Sequence, residues 1–447
     1  MKKKITEETV LFISIIKWVI LSSVMGMLTG LSTTAFLKAL AWGIETGRGF
    51  PYYILLPAGL FANALALHYI YPSADAHTTD KVIASIHSRG KITLPSVLKV
   101  FFLPILTIAS YGSAGKEAPA ADIGAGIGSL IGERLKFTEI DRRKLMICGV
   151  SAGFASVFGT PIAGAIFGIE VLFVGALLYD VMLPSFIAGI VSYQVSSSFG
   201  VTYFYHPLAF APVFSRSFFL FVVIAGVFFG LCSLLLVEIM KAGKKFSGRL
   251  AGWPPLKGLL AGAVMVVLSL LVSDRFLGLG LDTVESCLRG ENAPWYAFLM
   301  KPVFTSLTLG FSGSGGIVTP VFFTGASAGA LFGRVSGLDI ATFSALGLVS
   351  VLAGAANTPI AAAIMSIELF GAPIAPYAAV ACVISFLMTG HRSVYPSQVL
   401  SVRKSTSIEV EIGKELKHIE AEYEARERSL VGRLTAIAGT IKSIIRR

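Results

Sequence analysis

Residues 112–132 read GSAGKEAPAADIGAGIGSLIG, and residues 313–333 read GSGGIVTPVFFTGASAGALFG. Gly112, Ser113, Gly115, Pro119, Gly124, Ala125, Gly128, Leu130 and Gly132 recur at Gly313, Ser314, Gly316, Pro320, Gly325, Ala326, Gly329, Leu331 and Gly333. A second match follows in the same order, where Thr160-Pro161-Ile162-Ala163 through Ile169-Glu170 repeats as Thr358-Pro359-Ile360-Ala361 through Ile367-Glu368. Two matched pairs at one nearly constant separation of about 200 residues make the chain two homologous halves.

The halves are built for a bilayer. Of the 447 residues 54% are hydrophobic and only 14% charged, where an ordinary soluble domain carries about 25% charged residues. This excludes a soluble enzyme, a disordered chain and a secreted disulfide scaffold. Apolar segments fall near residues 9–31, 52–71, 94–111, 145–173, 181–198, 218–240, 259–272, 295–309, 342–370 and 373–388. A crossing helix needs about 20 mostly apolar residues, so several of these are too short to span, and Gly or Pro interrupts others. The expected fold is an all-α polytopic membrane protein of two inverted-topology repeats with tilted and broken helices. Residues 9–200 would form repeat one and 217–390 repeat two, within a membrane domain at 9–402. Residues 1–8 and 403–447 would be cytoplasmic ends, the latter helical and charged, lying in water or on the membrane surface or binding a partner.

The net charge of +11 sits in loops and ends, at Lys81, Arg89, Lys91, Arg134, Lys136, Arg142 to Lys144, Lys241, Lys244, Lys245 and Arg249. Basic loops favour the cytoplasmic side, which places both termini there and makes a nucleic-acid partner unnecessary. The four cysteines show no C-x-x-C spacing and the six histidines no H-E-x-x-H, so neither a metal site nor a cofactor is indicated.

Each matched segment begins with a flexible Gly-Ser stretch, then a Pro suited to a first helical turn, then small residues that let helices pack closely. This reads as a loop entering the membrane and opening into a helix. The free N–H groups of a helix start carry partial positive charge, and two such ends converging would hold an anion. Into one of them the sequence places Glu117, flanked by Lys116 and Pro119, while the other half has Val318. An intramembrane carboxylate costs on the order of 3 kcal/mol and signals a functional site. At a helix start it could occupy the anion's place and leave on protonation; as a mere cap it would face water.

These residues resemble the CLC family of chloride channels and chloride/proton exchangers. Gly115-Lys116-Glu117-Ala118-Pro119 looks like the family's G-[KR]-E-G-P, with Ala118 replacing the second Gly, and Gly316-Ile317-Val318-Thr319-Pro320 resembles its G-x-F-x-P, with Val318 replacing Phe. Tyr395 matches the late tyrosine that the family directs at its central anion. The resemblance implies that Glu117 is the gate and proton acceptor. It also implies that the Ile317 and Val318 N–H groups and the Tyr395 hydroxyl line the anion site, and that the protein is a homodimer with one pore per subunit.

Two departures bear on mechanism. Where the family has G-S-G-I-P, this chain has Ala76-His77-Thr78-Thr79-Asp80, so His77 and Thr78 become the candidate anion contacts and the choice among chloride, fluoride and nitrate stays open. Where many exchangers carry an inner Glu, Val171 stands, which leaves open a passive channel beside a proton-coupled exchanger. Glu170 is repeated as Glu368, so a structural role at a helix end is the simpler reading of both. Too little chain follows Tyr395 for the family's regulatory CBS pair. The G-x-S-x-G strings at 149–153 and 325–329 lie in small-residue helical sequence and are read as packing, since a nucleophile elbow needs a strand-turn-helix setting.

Overall fold

The structure is a computed structural model that describes residues 2–71, 79–203, 205–207, 216–419 and 422–423. The described residues form sixteen α-helices, eight in each half. The first half runs α1 (Lys2–Arg48), α2 (Tyr52–Tyr69), α3 (Thr79–Ser88), α4 (Leu94–Ala109), α5 (Glu117–Arg134), α6 (Glu139–Phe158), α7 (Pro161–Glu170) and α8 (Met182–Ser198). The second runs α9 (Arg216–Arg249), α10 (Pro254–Leu271), α11 (Leu281–Leu288), α12 (Ala297–Gly310), α13 (Val318–Ser336), α14 (Ile340–Ala356), α15 (Pro359–Phe370) and α16 (Ala375–Met388). By length and composition α1, α9 and α10 can each cross a bilayer, while α4, α7, α12, α14, α15 and α16 are shorter apolar helices.

The two halves meet through reciprocal contacts between equivalent residues. Gly115 N–H donates to the Gly316 carbonyl and Gly316 N–H to the Gly115 carbonyl, both at 2.7 Å, as an isolated antiparallel bridge. Ser113 N–H donates to Thr308 Oγ1 and Ser314 N–H to Thr107 Oγ1, each at 3.0 Å. Such exchange of identical bonds is what a pseudo-two-fold axis between the halves requires. The same axis relates α7 and α15. Glu368 accepts from Ile162 N–H (2.9 Å) and Ala163 N–H (2.8 Å), and Glu170 accepts from Ile360 N–H (3.0 Å) and Ala361 N–H (2.8 Å). Each carboxylate neutralises the positive helix start of the other half, so both glutamates are used structurally.

The long apolar stretches at 145–173 and 342–370 are each two helices rather than one. α6 stops where Gly159 turns left-handed at φ 71°, and α14 stops at Asn357, φ 56°; a Thr-Pro pair then starts the next helix, since Pro needs no N–H partner in a first turn. The recurring glycines permit contact of backbone with backbone. A Cβ on Gly124 would strike the Gly149 carbonyl, and one on Gly325 the Gly347 carbonyl. Ser151 and Ser327, the serines of the two G-x-S-x-G strings, lie buried within α6 and α13 and donate to the carbonyls of Ala165 and Phe323.

Beyond α16 the chain returns to the core. Gln398 donates to the carbonyls of Val171 and Ala356, both at 2.8 Å, and β2 (Val399–Leu400) pairs in parallel with β1 (Phe173–Val174). Lys404 Nζ donates to Asn357 Oδ1 and the Phe386 carbonyl, both at 2.6 Å. The helix expected over 403–447 is corrected over 403–419. That stretch holds β3 (Ile408–Glu409), paired with β4 (Glu422–Tyr423), and one 3-10 turn at Leu416–His418. Val410 and Leu416 bury against Val174 and Leu400, so apolar packing holds this stretch where a solvated helix was expected. Residues 424–447 lie outside the described residues.

Candidate functional site

The centre of the molecule is where the two Gly-Ser loops meet and α5 and α13 begin. Both helices enter alike: the residues before them, Lys116 (φ −100°, ψ −10°) and Ile317 (φ −113°, ψ −15°), share one conformation, and neither start has a side-chain cap of its own. What fills the space is Glu117, buried to 1% exposure. Its Oε1 accepts from Val318 N–H at 2.5 Å and its Oε2 from Thr319 Oγ1–H at 2.7 Å. The side chain thus leaves its own helix and caps the start of the opposite one.

Gly115 and Gly316 make this geometry sterically possible, because a Cβ on either would collide with the Glu117 carboxylate. The Gly115–Gly316 bridge fixes the two loops as the floor beneath it. Pro119 and Pro320 are buried in the first turns of α5 and α13. Lys116 is half-buried beside the carboxylate.

Tyr395 is 4% exposed, its N–H donates to Ser393 Oγ at 2.9 Å, and it lies within electrostatic reach of Glu117, Asp122 and Asp80. Asp80, in the first turn of α3, accepts from Ser397 N–H at 2.7 Å and Ser397 Oγ–H at 3.1 Å, which ties the start of α3 to the tyrosine loop. His77 and Thr78, the candidate contacts from the altered motif, lie outside the described residues.

Glu117, Gly115, Gly316 and Val318 meet where the two repeated segments join, with one difference from the expectation. The Val318 N–H, expected to line an anion site, is occupied by Glu117. Ile317, at 9% exposure, stands next to it. Thr319 was not singled out from sequence, although a signal existed: it is the hydroxyl residue whose partner in the first half is Ala118. Lys301 was also missed. It is wholly buried on α12, donates to the carbonyls of Phe276 (3.0 Å) and Gly278 (2.8 Å), and lies over the Phe323 ring.

A carboxylate seated on a helix N-terminus inside a two-fold bundle of broken helices occupies a place suited to an anion and defines the fold of a membrane transport protein. The comparisons agree. Residues 58–390 match the family described as Voltage gated chloride channel. A Chloride/fluoride channel protein of Pseudomonas syringae pv. tomato is 35% identical over 393 residues, covering 86% of each chain. A Voltage-gated ClC-type chloride channel ClcB of Shigella flexneri is 30% identical, covering 76% of this chain and 85% of that protein. The crystal structure of a CLC-type fluoride/proton antiporter superposes with a TM-score of 0.82 at 27% identity, over 86% of this chain and 98% of that one. A slow cyanobacterial Cl−/H+ antiporter superposes with a TM-score of 0.72 at 18% identity, over 83% and 94%, and shows the shared fold. The chain belongs to the CLC family of membrane anion channels and transporters.

Proposed function

We propose that this protein exchanges a small halide for protons across a cell membrane, with Glu117 as the gate, and that fluoride is its anion, with chloride the second reading. One observation carries the gating role: the Glu117 carboxylate occupies the Val318 N–H and the Thr319 hydroxyl that an incoming anion would use. Carboxylate and anion compete for the same donors. When Glu117 takes up a proton it becomes a weaker acceptor and releases them, the anion enters, and the proton leaves with the carboxyl's return. Coupling follows because one group both blocks the anion and carries the proton. The fluoride assignment draws on the 35% identical relative and the fluoride/proton antiporter likeness. Chloride is kept because of the ClcB relative.

Tyr395 would supply a hydroxyl to the anion, and His77 or Thr78 a further contact. The Lys17–Asp141 ion pair at 2.6 Å joins α1 to the first turn of α6, and the basic residues Arg134, Lys136 and Arg142 to Lys144 around it support a cytoplasmic position for the N-terminal end. Exposed Ile162, Ile360 and Ile367 on the paired α7 and α15 offer a self-complementary apolar face for a homodimer in the bilayer. The test is reconstitution in liposomes. Anion flux and reversal potential are measured under an imposed pH gradient with fluoride, chloride and nitrate. The reading predicts a potential that follows both gradients and the greatest turnover for fluoride. A potential set by the anion alone overturns exchange, and chloride or nitrate exceeding fluoride overturns the anion assignment.

A further inference from the structure

Proton exchange through Glu117 needs a route for the proton to the cytoplasmic side, and at the position where an inner acid would stand the chain has buried Val171. A different acid lies on α5 itself. Asp122 is 4% exposed, and its Oδ1 accepts no hydrogen bond from any described residue. It follows Glu117 by five residues, about 7.5 Å along the helix axis, toward the end that carries Arg134 and the basic loop.

Two small cavities converge on this carboxylate. One is lined by Asp122, Pro119, Lys99, Ser314 and Gly315 and so reaches the Gly-Ser loop beside the Glu117 site. The other is lined by Asp122, Ser85, Ser96, Val97 and Ile92 and so reaches the foot of the loop that bears Arg89 and Lys91. The first has room for a water beside Asp122, Lys99 and Ser314, and the second, smaller and more apolar, is at the lower limit for one, with Asp122, Ser85 and Ser96 as its polar groups. The Thr79 side chain, at the start of α3, is the polar neighbour beside Asp122.

Resting on the exchange reading, we infer that Asp122 is a proton-relay residue that passes protons through these water-holding cavities between Glu117 and the cytoplasmic side, apart from the anion site at Val318 and Tyr395. In each hop a protonated Asp122 gives its proton through water to the Glu117 carboxylate, leaving Asp122 ionised and Glu117 neutral. Asp122 is then recharged from the cavity beneath the 89–93 loop. The charged or titratable groups that face it are Lys99 from α4, Glu117 on its own helix and Tyr395, while Asp80 on α3 acts on Tyr395. α1 and α6 meet this part of α5 through Thr29, Gly149 and Gly153.

The test measures proton and anion fluxes together in proteoliposomes, for the wild type, Asp122→Asn, Asp122→Glu and Val100→Phe. Val100 borders both cavities, so a phenyl there narrows the water path without altering an acid. Protons moved per anion should fall about tenfold or more in Asp122→Asn, fall in Val100→Phe, and stay near wild type in Asp122→Glu, with anion flux kept in all three. Thermal unfolding in detergent verifies that each variant is folded. If Asp122→Asn does not fold, Val100→Phe carries the test. Unchanged coupling in Asp122→Asn, or equal loss of both fluxes in a folded variant, overturns the relay and leaves the exchange reading intact. A wild type that moves anion without protons overturns both.

Discussion

The two halves of this molecule are nearly the same machine built twice, and they differ at the point where function enters. Gly115 and Gly316, Ser113 and Ser314, Thr107 and Thr308, and Glu170 and Glu368 make matching bonds of matching length across the axis. Symmetry stops at the helix starts. Lys116-Glu117-Ala118 faces Ile317-Val318-Thr319, so one half supplies a carboxylate and the other the donors that receive it. A mobile carboxylate on each side would place two like charges together at high cost, and donors on both sides would leave no internal gate. The difference teaches that the scaffold needs pairs, whereas the contact between the two helix starts takes a single acid and a single set of donors.

The largest test of that asymmetry removes the acid. Glu117→Gln should leave the fold in place but reduce proton movement about 100-fold or more and abolish the pH dependence of anion flux, read by simultaneous flux measurements. Retained proton exchange would show that the two starts differ for another reason.

A second asymmetry lies in the lysines of α4 and α12. Lys99 borders the cavity at Asp122, while Lys301 is locked to two carbonyls at the 274–278 turn. Lys301→Met leaves those buried carbonyls unsatisfied and should cost about 2 kcal/mol, seen as a lower unfolding temperature in detergent with ion coupling unchanged.

The matched caps sharpen the comparison from the symmetric side. Glu170→Gln and Glu368→Gln each replace a two-N–H carboxylate contact, so each should destabilise by roughly 1–3 kcal/mol and by similar amounts. Their proton-to-anion ratio should stay that of the wild type. A ratio changed by Glu170→Gln alone would make that residue functional as well as structural. The smallest effect is expected from Thr319→Val. One hydrogen bond to a charged group, about 1.5 kcal/mol, is removed from the seated carboxylate. The gate and the incoming anion lose the same donor, so the anion concentration for half-maximal flux should change by less than about threefold, with coupling retained.

Much of this was readable in the chain because it is written locally. Small residues at helical spacing marked α5 and α13, the repeated Thr-Pro marked the starts of α7 and α15, and Glu117 stood out because charge is scarce in apolar sequence. The repeat of Glu170 as Glu368 pointed to a shared structural use, which the reciprocal caps supply. Lys301 gave less warning, since its partners lie on a preceding turn. The stretch at 405–419 misled because mixed charges resemble a solvated helix, while Val410 and Leu416 find a small apolar cluster that only the fold assembles.

By itself the sequence determined the membrane setting, the two halves and the acid at one helix start, since composition, repetition and a residue's place in a motif need no third dimension. Only the tertiary structure decided that this acid rests on the other half's helix, that Thr319 holds it and that Asp122 faces two cavities. Those facts depend on side chains brought together from distant positions, Val318 being 201 residues from Glu117. Packing creates such contacts and leaves no periodic trace of them in the chain.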